Sequence, residues 1–245
     1  METNTRDIDS DLSREKDVPV MERVRLDGVY YFRISDYDRM RPFFMSIVSQ
    51  SDLWMFISST GGLTAGRKNS EYALFPYYTD DKISESSGTT GSKTIIEVTS
   101  NGKKRYWEPL SERFKGRYKI TRNLYKSVAG NKIRFEEINH DLGLSFWYEW
   151  CPSEQYGFLR KSCLINNGEL KVDVRVIDGI QNILPARVGS ELQLRSSNLV
   201  DAYKRNELVP GTDLATYSLS AYIVDKAEPS ESLKANVAWS YGFDR

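Results

Sequence analysis

Leu144-Ser145-Phe146-Trp147-Tyr148-Glu149-Trp150 puts Leu144, Phe146, Tyr148 and Trp150 on one side of an extended chain and Ser145, Trp147 and Glu149 on the other. A helix would scatter these residues around its axis, whereas a strand sorts them into an apolar face and a mixed one. Leu170, Val172, Val174 and Val176 alternate with Lys171, Asp173 and Arg175 and predict a half-buried strand. The same period predicts strands over 28–34, 43–48, 53–58, 93–99, 105–108, 117–123, 132–138, 158–165, 215–224 and 233–240. Short turn signals separate them. Asn101-Gly102 predicts a hairpin between the runs at 93–99 and 105–108, and Asn166-Asn167-Gly168 predicts another between 158–165 and the Leu170 run. Ala129-Gly130-Asn131-Lys132 and Asp141-Leu142-Gly143 each join a further pair. Only Ser197 to Arg205 reads as a short helix, with Leu199, Val200 and Tyr203 on one side. So many strands predict an all-β fold, a large two-sheet antiparallel β-sandwich with one short helix.

The chain has 245 residues, enough for one large domain. Residues 1–19 are polar and charged and are expected to form a flexible leader, with the sandwich over 20–245. Lys plus Arg and Asp plus Glu are both 34, so the net charge is +0, which disfavours nucleic-acid and anionic-membrane partners. No apolar run approaches the ~20 residues that span a bilayer, and no apolar segment follows Met1-Glu2-Thr3 as in a secretory signal. With two cysteines and no disulfide framework, the expected compartment is the cytoplasm.

His140 is the single histidine, which excludes multi-histidine zinc sites and any mechanism needing two imidazoles. It lies at a turn and reads as a surface or capping residue. The phosphate-loop pattern GxxxxGK[ST] is absent, and no cofactor or metal is expected. Hairpin registry centred near Glu154 pairs Cys151 with a residue near Phe158, so Cys151 and Cys163 are expected to be free thiols.

Three segments have residues suited to ligand chemistry. Ser58-Ser59-Thr60-Gly61-Gly62-Leu63-Thr64-Ala65-Gly66-Arg67 reads as a glycine-rich turn that lets backbone approach a neighbour or a ligand, ending in the forked donor Arg67. Phe75-Pro76-Tyr77-Tyr78-Thr79-Asp80-Asp81-Lys82 sets aromatic rings beside carboxylates, which suits sugars, or else forms a solvated loop. Trp107-Glu108-Pro109 offers a ring and an acceptor at a strand end, or ordinary core packing.

Taken in order, these segments resemble the N-terminal β-sandwich of the cellobiose-phosphorylase-like sugar phosphorylases, glycoside hydrolase family 94. The glycine loop with Arg67, the Tyr-Thr-Asp-Asp stretch and Trp107-Glu108-Pro109 carry the likeness, with Glu108 standing where the family usually has Ser. The resemblance spans about residues 24–239 and implies a supersandwich of galactose-mutarotase type. It further implies that Arg67, Tyr78, Asp80, Trp107 and Glu108 contact an oligosaccharide or sugar phosphate, with no catalytic residue in this chain. In that family the general acid belongs to a helical barrel after the sandwich. Nothing in these residues reads as that barrel, so the chain is expected to be a piece of a longer enzyme and inactive alone. Two alternatives stay open. One is a scaffold for dimerisation or interdomain contact, consistent with a homodimer. The other is a mutarotase-like isomerase, disfavoured by the single histidine.

Overall fold

The computed structural model describes residues 19–77, 80–100, 102–223 and 232–242, with backbone alone at 80 and 81. The predicted leader lies outside the described residues except for Pro19. Among the described residues all strand pairing is antiparallel, in four sheets. The largest has six strands in the order β1 (Met21–Leu26), β2 (Val29–Ser35), β8 (Ile120–Ser127), β9 (Ile133–Asn139), β10 (Leu144–Ser153) and β11 (Gly157–Asn166). A second sheet joins β3 (Phe44–Ile47), β4 (Leu53–Ser58) and β5 (Leu63–Arg67). A third has the order β12 (Asp173–Gln181), β6 (Gly91–Ser100), β7 (Lys103–Trp107). The fourth is β13 (Lys204–Leu208), β14 (Leu214–Leu219) and β15 (Ala235–Trp239).

The fold is an all-β sandwich. Leu124, Ile133, Phe135, Leu144, Phe146, Tyr148 and Trp150 form the inner face of the six-stranded sheet. They share one core with Met55, Ile57, Leu63 and Ala65 of the second sheet and Ile96, Val98 and Trp107 of the third. The layer opposite the large sheet is therefore built from two three-stranded sheets. Each fully buried large side chain contributes roughly 1.5–3 kcal/mol of apolar burial, so this shared core orders the layers. A second, smaller cluster of Ala73, Leu184, Val188, Val200 and Leu219 seats α2 (Ser190–Tyr203) and β14. Asn236 Nδ2 donates to the Leu184 carbonyl at 2.8 Å and ties β15 to the same segment.

The outer face of the large sheet is polar yet buried. Tyr31 donates to Glu149 Oε2 at 2.8 Å and Arg134 Nε to the same oxygen at 3.2 Å, with the Arg134 guanidinium 4.0 Å over the Trp147 ring. Tyr125 and Asn123 donate to Glu136 Oε2 at 2.6 and 2.8 Å. Burial first, then the hydrogen bond and the negative charge of the glutamate, push the Tyr31 and Tyr125 phenols well above their ordinary value. Burial does the same for Tyr37 and Tyr148. Neutral phenol is thus favoured in the folded chain. The corresponding stability is complete below the ordinary phenol pKa of about 10 and is lost as pH rises beyond it. A spectrophotometric titration one unit above that value should show markedly fewer phenolates in the folded chain than in denaturant, with phenolate release coinciding with unfolding.

Several expectations are corrected. Asn166-Asn167-Gly168 does not close a hairpin: β11 belongs to the large sheet and β12 pairs with β6, so this turn carries the chain from one layer to the other. The Leu170 run is an edge strand starting at Asp173. Leu170, before the strand, is 72% exposed, and Val174 and Val176 on this edge strand are 40% and 44% exposed. Helix α2 begins at Ser190, seven residues before the expected start at Ser197, and breaks at Ser196 (φ −143°, ψ 36°), so the predicted helix is its second half. Strands β1, β5 and β13 lie where no strand was expected.

Candidate functional site

The glycine-rich segment divides into a tight turn and a strand. Gly61, at φ +90°, closes the β4–β5 hairpin, where Ser58 N–H donates to the Gly62 carbonyl at 2.7 Å. A Cβ at Gly62 would lie 2.1 Å from the Ile83 carbonyl oxygen. The neighbour that these small residues admit is therefore the chain's own α1 (Asp80–Ile83) and the turn after it, where Thr60 Oγ1 donates to the Ser84 carbonyl at 2.9 Å. Residues 63–67 are strand β5, and Gly66 has no side chain because Trp54 and the Tyr72 carbonyl occupy that space.

Arg67 sits at the end of β5, exposed, with Nε 3.2 Å from Asp52 Oδ1. Both line a cavity of about 1100 Å³. The cavity lies among β5, the start of β11, the 183–187 segment and β15. Lys68, Lys161, Arg187 and Lys234 line it as well, and Asp52 is the only carboxylate among its described lining residues. Tyr156 and Trp239 meet edge to face at 5.7 Å on its wall. Below them Phe75 and Trp150 are fully buried core. An excess of cations beside aromatic rings can hold a phosphate through forked or charge-assisted hydrogen bonds while stacking a sugar's C–H face.

Trp107 cannot stack on a ligand, which corrects the expected role. It is 0% exposed, and its Nε1–H donates to Glu137 Oε1 at 2.6 Å. Leu110 N–H and Arg122 Nε donate to the other Glu137 oxygen at 2.7 and 2.8 Å. Arg122 continues to Glu112 at 2.6 Å and the Ser111 carbonyl at 3.0 Å. Trp107 is thus the apolar lid of a buried ion pair. Glu108, 6% exposed, is ion-paired with Lys93 and lines a separate cavity of about 120 Å³. Tyr78 and the side chain of Asp80 lie outside the described residues; the Asp80 backbone opens α1. Arg67 and Glu108 line different cavities, so the expected set is not one constellation.

His140 is exposed and pairs through Nε2 with Thr121 Oγ1 at 2.8 Å, as a surface residue would. Cys151 opposes Leu159 in the β10–β11 register, and both cysteines are free thiols. Burial pushes the Cys151 thiol up, away from the reactive thiolate. Among the described residues no cluster of three His, Cys, Asp or Glu side chains could hold a metal, and no helix is long and apolar enough to cross a membrane.

Sequence reading found Arg67 but not its companions. Lys161, Arg187, Lys234 and Trp239 come from distant segments, and only the packing of β15 and the 183–187 segment beside β11 brings them together. Compared with known proteins, the chain matches no family model and no curated protein sequence. Fold and cavities define an all-β sandwich with a cation-rich, aromatic-walled cleft.

Proposed function

We propose that the chain is a carbohydrate-binding sandwich module that lines, and does not power, the sugar site of a phosphorylase-like or glycoside-hydrolase-like enzyme. The ligand is an oligosaccharide or sugar phosphate held in the larger cavity. One observation carries this reading: Arg67, Arg187, Lys161 and Lys234 surround a space walled by the Tyr156–Trp239 pair. Cleaving a glycosidic bond needs a carboxylic acid at the leaving oxygen. Asp52 is engaged by Arg67 instead, and the acid is assigned to a helical partner module.

Calorimetric titration of the whole chain with glucose 1-phosphate, cellobiose and inorganic phosphate tests it. Glucose 1-phosphate should bind, and Arg187→Ala or Arg67→Ala should weaken it about tenfold or more, the loss of one charged hydrogen bond. The exposed Arg67–Asp52 pair is worth under about 1 kcal/mol, so Arg67→Ala should leave folding intact. Absence of saturable binding by glucose 1-phosphate and cellobiose, or equal affinity in both variants, would overturn the reading.

A scaffold role has its own support. Phe44, Phe56, Trp54 and Tyr77 form a continuous row on the outer face of the β3–β5 sheet, with centroids 6.4, 6.1 and 6.0 Å apart. Phe44 and Tyr77 are 48% and 43% exposed. Such a row suits contact with a second copy. Light scattering should then report a dimer that Phe44→Asp dissociates; a monomer at all concentrations removes the homodimer.

A further inference from the structure

The smaller cavity is floored by aromatic rings from the large sheet and from the helical turn Tyr37–Arg39. Tyr148 stacks on Phe135 with centroids 5.1 Å apart, and Tyr37 meets Phe135 edge-on at 6.0 Å. Tyr37 and Tyr148 are 5% and 4% exposed. Both line the cavity, and among the described residues neither hydroxyl has a hydrogen-bond partner. The Tyr148 hydroxyl reaches the wall beside the glycine turn, where a Cβ at Gly61 would lie 3.1 Å from it. Glu108, on the same lining, gives one carboxylate oxygen to Lys93 and keeps the other as an acceptor.

The two hydroxyl oxygens are not among the enclosed, unpartnered polar atoms of the described residues, so they open on this space as donors free to meet an occupant. We infer that this cavity is a second binding site, for vicinal hydroxyls. Two phenol donors meet the oxygens of a diol, the free Glu108 oxygen accepts its protons, and the ring floor covers its C–H groups. Charge does not favour an anion, since Lys93 and Glu108 neutralise each other and Glu112 and Arg113 on the same lining are of opposite sign. A volume of about 120 Å³ equals roughly four waters at about 30 Å³ each. It suits a three- or four-carbon polyol or the terminal unit of a saccharide. This site is separate from the larger cavity and does not depend on phosphate.

Saturation-transfer NMR on the full chain with glycerol and erythritol is the test, repeated on Tyr37→Phe, Tyr148→Phe and the double variant. At least one of the two probes should bind saturably. Each Phe variant should weaken binding at least tenfold, and the double variant should abolish it. Because an unpartnered hydroxyl contributes nothing to folding, the thermal midpoint of the Phe variants should stay level or rise. Arg187→Ala should leave polyol binding unchanged. No saturable binding by any probe overturns the site, which is then a water-filled gap. So does binding that survives the double variant, a thermal midpoint that falls in both single variants, or binding that Arg187→Ala abolishes. If glucose 1-phosphate still binds the larger cavity while both polyols fail, only this second site is refuted.

Discussion

Glu137→Ala should destabilise the chain by about 3–5 kcal/mol, the range for removing one partner of a buried ion pair. Glu137 is 2% exposed and accepts from the Trp107 indole, the Leu110 amide and Arg122 Nε. Its loss leaves those donors without an acceptor and strips the Arg122 charge, 4% exposed, of its buried counter-ion. Glu112, 59% exposed, remains paired with Nη1 from the solvent side. Burial opposes charge on Arg122, yet Glu137 first, then Tyr37 and Glu112, hold its guanidinium above the ordinary value. Urea unfolding followed by tryptophan fluorescence should show this loss in Glu137→Ala. A change below about 1 kcal/mol would mean that water replaces the carboxylate and that the cluster does not anchor the third sheet to the first.

The second large effect belongs to the clamp between β11 and β12. Arg160 Nη1 and Nη2 donate to the two Asp178 oxygens at 2.8 and 2.6 Å, and Nε donates to Ser92 at 2.8 Å. Thr94 and Ser162 add donors to Asp178 at 2.5 and 2.6 Å. The Arg160 guanidinium also lies 5.2 Å from the Tyr148 ring centroid, so it joins the sheet edge to the core. Asp178→Ala leaves a 5%-exposed cation unpaired and should cost about 3–5 kcal/mol. Burial raises the Asp178 carboxyl, but the hydrogen bonds and charge of Arg160, then Ser162 and Thr94, outweigh it and hold the group below its usual value. A depressed folded value contributes stability that is complete above the ordinary carboxyl pKa of about 3.9 and is lost as pH falls below it toward the folded value. Thermal midpoints should therefore fall more steeply below about pH 4 in the native chain than in Asp178→Asn. Equal slopes would mean that Asp178 carries no linked proton.

The strand content was legible because period two survives wherever a strand has one covered face. Residues 144–150 read as alternating, and β10 occupies them, with β9 beside it and β8 beyond β9, the three joined in sequence by the expected short turns. Where the reading failed, two cues coincided. Asn166-Asn167-Gly168 has hairpin chemistry, but turn residues do not say which layer the next strand joins. Gly66 has no side chain because Trp54 and the Tyr72 backbone press on β5, and with Gly61-Gly62 just before it a buried strand looked like a loop. Among the expected site residues, Arg67 reaches a cavity suited to a ligand, whereas Trp107 is consumed by Glu137. An indole at a strand end carries no local sign of which partner its N–H will find. Tyr37 and Tyr148 read as ordinary core aromatics, since an unpartnered hydroxyl is a property of the assembled fold and of no single segment.

The sugar-site reading is tested most directly by a crystal structure of the chain soaked with glucose 1-phosphate. The expected map has phosphate density within hydrogen-bond reach of Arg67 or Arg187 and a sugar ring against Tyr156 and Trp239. A fully soaked crystal with that cavity open to solvent channels and no ligand density in it would contradict the account.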